Sequence, residues 1–175
     1  MYEFTPDPNK KNAKNIVSAL ILGGFAIMLV TSVAHTMPFK WAIQLFGIAT
    51  IALGIFVMTR YVAKNFVYRV EQTDSGADLT VTEIQKKSKI TLCRIALSNI
   101  EQIHVFTSNE KEKEKSLVSS FSKDGRKRFN YCADINPEKF IWILANECGE
   151  SVAVKLSFDV TLCKILESRA ESTTL

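Results

Sequence analysis

Few residues in this 175-residue chain have side chains suited to chemistry. They are His35 and His104, the cysteines Cys93, Cys132, Cys148 and Cys163, and two knots of positive charge. The histidines are far apart in sequence, and His104 alternates with Ile103 and Val105 as a half-exposed strand residue would. No two cysteines form a Cys-x-x-Cys or a spacing that suits zinc. No glycine-rich phosphate loop, Gly-x-Ser-x-Gly elbow or His-Glu-x-x-His is present. Glu110, Glu112 and Glu114 fall in a run of alternating charge rather than as a carboxylate pair on a folded element. The chain therefore reads as non-enzymatic, with no catalytic, cofactor-binding or metal-ligating set. The positive knots remain: Lys86, Lys87 and Lys89 in one turn, and Lys123, Arg126, Lys127 and Arg128 in another. Either they are solvated hairpin tips, or they face a protein partner or anionic headgroups, where each charge adds up to ~1 kcal/mol.

The elements that would position these groups fall into two parts. Ile16 to Ala34 and Trp41 to Thr59 are uncharged apolar stretches of 19 residues each, separated by His35-Thr36-Met37-Pro38-Phe39-Lys40. At ~1.5 Å per residue each approaches the ~30 Å of a bilayer's hydrocarbon core. Pro38 stops the first helix, and the short link makes the two helices antiparallel neighbours. Small residues recur at helical spacing: Ala19, Gly23 and Ala26 on the first helix, Gly47, Thr50 and Gly54 on the second. Such a seam permits close backbone approach, within the hairpin or between copies in a homo-oligomer.

Lys10, Lys11 and Lys14 precede the first span, and Arg60 and Lys64 follow the second, against Lys40 alone in the link. The positive-inside rule places both termini in the cytoplasm. Trp41 and Tyr61 mark the two ends of the second span as interfacial aromatics. Ser32-Val33-Ala34 resembles a signal-peptide cleavage site, but the apolar run is long for one and a second span follows at once. On the cytoplasmic side the four cysteines are reduced thiols. Residues 1–60 hold five Lys/Arg and two Asp/Glu, and residues 61–175 hold 17 and 16. The polar part is thus nearly neutral, which argues against a nucleic-acid partner.

From Asn65 onward the apolar period falls to two. Strands are expected around Phe66–Val70, from Leu79, at Ile90 and Leu92 on one face, and over 99–106. The run 109–115 is expected as a solvated loop. Asp124-Gly125 reads as a hairpin turn leading into a strand with Phe129, Tyr131, Ala133 and Ile135 on one side. Phe140 to Leu144 is apolar on both faces and should be covered twice. Val152, Val154 and Leu156 alternate beyond a turn at Cys148-Gly149. Phe158, Leu162, Ile165 and Leu166 then form one stripe of a closing helix, with Ser157 or Asp159 as its cap. The segments are a basic tail over 1–14, a transmembrane hairpin over 15–61, a folded domain over 65–170 and a fraying end over 171–175.

This order of elements resembles a bacterial pleckstrin-homology-like (PH-like) domain. The resemblance is carried by Tyr68 to Val105, with three strands, the connector Ala96-Leu97-Ser98-Asn99 and a fourth strand. It spans residues 10–170, since many members carry a two-helix membrane hairpin just before the domain. It implies a membrane-anchored α+β protein: an antiparallel β-barrel of about seven strands capped by a C-terminal helix. Such a domain would sit in the bacterial cell membrane and bind rather than catalyse. The candidate roles are an interaction module for a protein partner, an anionic-lipid headgroup reader, or an accessory subunit of a membrane complex. In the wider fold, phosphoinositides are often bound by basic residues of the first strand–strand loop. Here that loop, Glu71 to Asp78, is acidic.

Overall fold

Apolar side chains all round a helix need an apolar surrounding on every side, and two helices here have that character. The computed structural model describes residues 1–7, 10–34, 39–74, 76–85 and 88–171. The chain forms two units, one of Pro8–Lys64 and the other of Met1–Asp7 together with Asn65–Leu175. The first unit holds α1 (Lys10–Val33) and α2 (Lys40–Val57), the latter continued by a π-helical turn over Met58–Val62. Both helices are long and apolar enough to cross a membrane. Leu22, Phe25, Leu29, Phe46, Leu53 and Phe56 are all exposed. His35 and Pro38 lie outside the described residues.

The seam between α1 and α2 differs by one position from the sequence expectation. Gly24, Gly47 and Gly54 are buried. A Cβ on Gly24 would lie 2.5 Å from Ile51 Cγ1 and 2.8 Å from the Gly47 carbonyl oxygen. A Cβ on Gly23 would meet nothing within 4 Å. Ala19 and Ala26 are exposed, and the half-buried Thr50 gives its hydroxyl to the Phe46 carbonyl of its own helix. The reason is the repeat. Buried positions of α1 recur at four and seven residues (Ala13, Val17, Gly24, Thr31), the left-handed packing period; Ala19 and Ala26 keep the same seven-residue repeat but stand two positions later in it, about 200° round the helix.

The second unit contains two four-stranded sheets. The first has the order β1 (Tyr2–Phe4), β2 (Asn65–Thr73), β3 (Gly76–Gln85), β4 (Ser88–Ala96), antiparallel throughout. The second has the order β5 (Ile100–Thr107), β7 (Lys139–Glu147), β8 (Glu150–Ser157), β6 (Lys127–Asn130), with β6 parallel to β8. The expected closed barrel of about seven strands is therefore corrected to two open sheets. One cause is the segment after β6. Only Lys127–Asn130 pairs, and the chain then turns irregular, where Tyr131 and Ala133 spend their N–H groups on the Lys155 carbonyl and the Ser157 hydroxyl.

The basic tail expected over 1–14 is also corrected: Tyr2, Glu3 and Phe4 pair with Val70, Arg69 and Tyr68. Arg69 holds Glu3 at 2.7 Å, and Phe4 packs on the Tyr68 ring. The charged run expected as a loop instead enters α3 (Lys111–Lys123). Its apolar stripe, Leu117, Val118 and Phe121, lies beyond the charges and packs on the second sheet. Asp124-Gly125 ends that helix rather than turning a hairpin. Gly125 takes φ +67, and the Arg126 N–H returns to the Phe121 carbonyl, a Schellman closure.

β7 is covered twice, as its apolar faces require. Ile141, Ile143 and Ala145 join Tyr68, Leu79, Val81, Val154 and Leu156 in the main core. Phe140, Trp142 and Leu144 face Phe121 of α3 in a second core. At the β7–β8 turn Cys148 and Gly149 both take positive φ, as a type I′ hairpin needs. The closing helix α4 (Val160–Glu171) inserts Leu162 and Leu166 into the main core. Asp159 caps it, accepting the Leu162 N–H at 2.8 Å. Residues 172–175 lie outside the described residues.

Candidate functional site

Two members of the second basic cluster have acidic neighbours. Arg126 meets Glu101 at 2.7 Å with its side chain largely buried. Lys127 meets Glu150 at 2.6 Å. Lys123 ends α3, and Arg128 is an exposed residue of β6. Two of the four residues are thus paired with carboxylates, while Lys123 and Arg128 stand exposed. Of the first cluster, Lys89 is exposed on β4, while Lys86 and Lys87 lie outside the described residues.

A different group was missed by sequence reasoning. In the β7–β8 ladder Lys155 stands opposite Trp142, and α3 lies over the same face. Glu114 of α3 accepts both the Trp142 Nε1–H at 3.1 Å and the Lys155 ammonium at 2.6 Å, through one oxygen. The ammonium also lies 3.6 Å from the centre of the Phe140 ring. Lys155 and Glu114 are mostly buried, so the pair gains more than an exposed one, with the ring adding cation–π attraction. Glu114, Lys155 and Phe140 line a cleft of about 270 Å³ together with Thr107, Ser108, Lys111, Lys115 and Asn136. Its charged lining is Lys111, Lys115 and Lys155 with Glu114; Glu114 holds Lys155 and the neighbouring Glu112 holds Lys115 at 3.1 Å, so Lys111 is the cation of the lining beyond those two pairs. The only trace in the sequence is a helical stripe at Leu117, Val118 and Phe121, which places Glu114 one turn before Leu117 and Val118 on the same face.

The thiols are spread out. Cys132 and Cys163 are buried, Cys93 is half-buried and Cys148 is exposed. Burial, helped by the charge of Glu147, pushes the Cys93 thiol up to about 11. Burial, then a hydrogen bond to Glu167, does the same for Cys163, also to about 11. These thiols are held protonated, the opposite of a nucleophile's poise. His104 shares a hydrogen bond of 3.1 Å with Gln102 on its own strand. Of the acids between Glu71 and Asp78, two are held by arginines: Asp78 is tied to Arg94 at 2.7 Å and Glu71 to Arg69 at 3.2 Å. No protein-family model matches the chain, and neither the curated proteins nor the solved structures contain a match.

Proposed function

We propose that this chain is a membrane-tethered, non-catalytic interaction module that holds a protein partner at the cytoplasmic face of the bacterial cell membrane. The observation that supports it is the pairing of β1 with β2. One strand precedes the two apolar helices and the other follows them, so both flanks of the helical pair belong to one sheet. Helices that cross a bilayer between two such strands must cross an even number of times. Lys10, Lys11 and Lys14 in the first turns of α1 and the Arg60–Lys64 flank then select the cytoplasmic side. The PH-like resemblance belongs to the same reading, through antiparallel strands followed by a closing helix. The cleft at α3 is the surface that suits a partner, and Lys111 at its rim favours an acidic group there.

Membrane-impermeant maleimide in intact cells tests the placement through Cys148, which is exposed. Cys148 should be labelled only after lysis, and the chain should stay in the membrane pellet after alkaline extraction. Labelling in intact cells would sink the orientation. A photo-crosslinker placed at Lys115 should then give a protein adduct that Lys111→Glu weakens. An adduct indifferent to that change would remove the cleft from the proposal.

A further inference from the structure

Register fixes which end of the first sheet the helical pair leaves and re-enters. Asn65 opens β2 three residues after Val62; it pairs with Ile84, and Ile84 pairs with Lys89. β1 runs the opposite way, with Tyr2 at Val70 and Phe4 at Tyr68, so the chain leaves β1 toward that same end. The β3–β4 end is therefore flanked by both tethers. Two residues (63 and 64) bridge to β2, and five (5–9) separate β1 from α1. At ~3.5 Å per extended residue they reach only about 10 Å and 20 Å. Two strand spacings of ~4.8 Å place Lys89 about 10 Å to the side of Asn65.

The surface at this end is unusual for a sheet edge. β4 is the outer strand, and Ser88 to Leu92 are exposed at every position. Ile90 is 54% and Leu92 38% exposed. Free edges are normally blunted by charge, yet the only charge in 88–93 is Lys89. The nearest acid, Glu83 opposite Ile90, is buried. The far end of the same sheet carries Glu71, Asp74 and Asp78, with Arg69 and Arg94 holding the first and the last, so apolar residues beside a lysine mark the end where the tethers attach and carboxylates the end where they do not.

We infer that this end of β4 is a bilayer contact, with Ile90 and Leu92 in the interfacial layer and Lys89 facing anionic headgroups. The inference rests on the membrane-tethered reading and adds an orientation to it: the sheet stands on its β3–β4 end with its acidic turn away from the lipid. An anionic bilayer suits the patch because interfacial binding combines apolar burial with attraction of cations to the surface.

Full-length chain reconstituted in phosphatidylglycerol vesicles with brominated acyl chains provides the test. Each position is read as the single tryptophan of its chain: Trp41 with Trp142→Phe reports the tether, and Ile90→Trp or Gln72→Trp, with Trp41→Phe and Trp142→Phe, reports the proposed contact or the far end. The Ile90→Trp emission should be strongly quenched and the Gln72→Trp emission spared. In the Ile90→Trp chain, Lys89→Glu changes two charges at ~1 kcal/mol each and should shift the docked population by about 30-fold. Unquenched Trp41 would defeat the membrane reading itself. Quenched Trp41 with positions 90 and 72 alike would overturn this inference alone. Quenching at 90 that appears only on dilution into excess lipid would assign the strand to a second copy and also overturn it.

Discussion

Tyr68→Phe is the sharpest probe of how the two sheets hold together. Tyr68 is fully buried on β2, and its hydroxyl donates to the Tyr131 carbonyl at 2.8 Å. It accepts the Ser157 N–H at 3.1 Å, and the Ser157 hydroxyl, 3.3 Å away, accepts the Ala133 N–H. One phenol oxygen thus links the first sheet to β8 and to the irregular chain after β6. Phenylalanine keeps the ring, so no cavity opens. The loss is two neutral hydrogen bonds at ~1 kcal/mol each, plus a penalty of ~1–3 kcal/mol for leaving a buried donor short of its acceptor. The sum overlaps, and about 2–4 kcal/mol is expected. Urea unfolding of the full chain in detergent, followed by Trp142 emission in a Trp41→Phe background, should show the midpoint fall by about 1–2 M with slope unchanged. Ser157→Ala should be non-additive with it. A loss below ~0.5 kcal/mol would refute the reasoning, because surface changes alone reach that size.

Gly24→Val should lower the thermal midpoint of the detergent-solubilised chain, since its Cβ meets backbone, and overpacking costs ~1–3 kcal/mol. Gly23→Val should leave it nearly unchanged, and the reverse order would move the seam back to Gly23. Alkylation at pH 8 should modify Cys148 before Cys93 or Cys163, as read by peptide mass. The two raised thiols also carry a pH dependence. In the unfolded chain they lose their protons near 9.0 and in the fold near 11. Their contribution to stability is whole below pH 9 and is lost as pH rises toward 11, because the unfolded state then binds fewer protons. Cys93→Ala with Cys163→Ala should flatten that decline in urea midpoints.

Much of the fold was legible where one residue type carries one physical requirement. Two uncharged runs can only be apolar helices, and Phe140 to Leu144 had to be covered on both faces, as Ile143 and Trp142 show. Asp159 could be named as a cap because a carboxylate before an apolar stripe has an N–H to accept. What escaped depended on contacts between distant segments. Three residues of β1 carry no period, so only pairing with Val70, Arg69 and Tyr68 reveals them. Glu114 looked solvated because Trp142 and Lys155, its partners, come 28 and 41 positions later. The partners of the basic cluster escaped for the same reason: Glu101 and Glu150 are invisible to a scan of 123–128. The glycine seam was misplaced by one residue, which turns a side chain through roughly 100° on a helix with ~3.6 residues per turn.

The placement of β1 has a consequence for synthesis. Phe4 leaves the ribosome more than sixty residues ahead of Tyr68, its neighbour in the sheet. Until the chain beyond Asn65 has been made, the first strand has nothing to pair with, and its edge is open to other strands. The sheet therefore cannot close during the early part of translation. Closure of so long a loop carries an entropic cost that neighbouring strands do not, and the two greasy helices emerge while both ends of that loop are still apart.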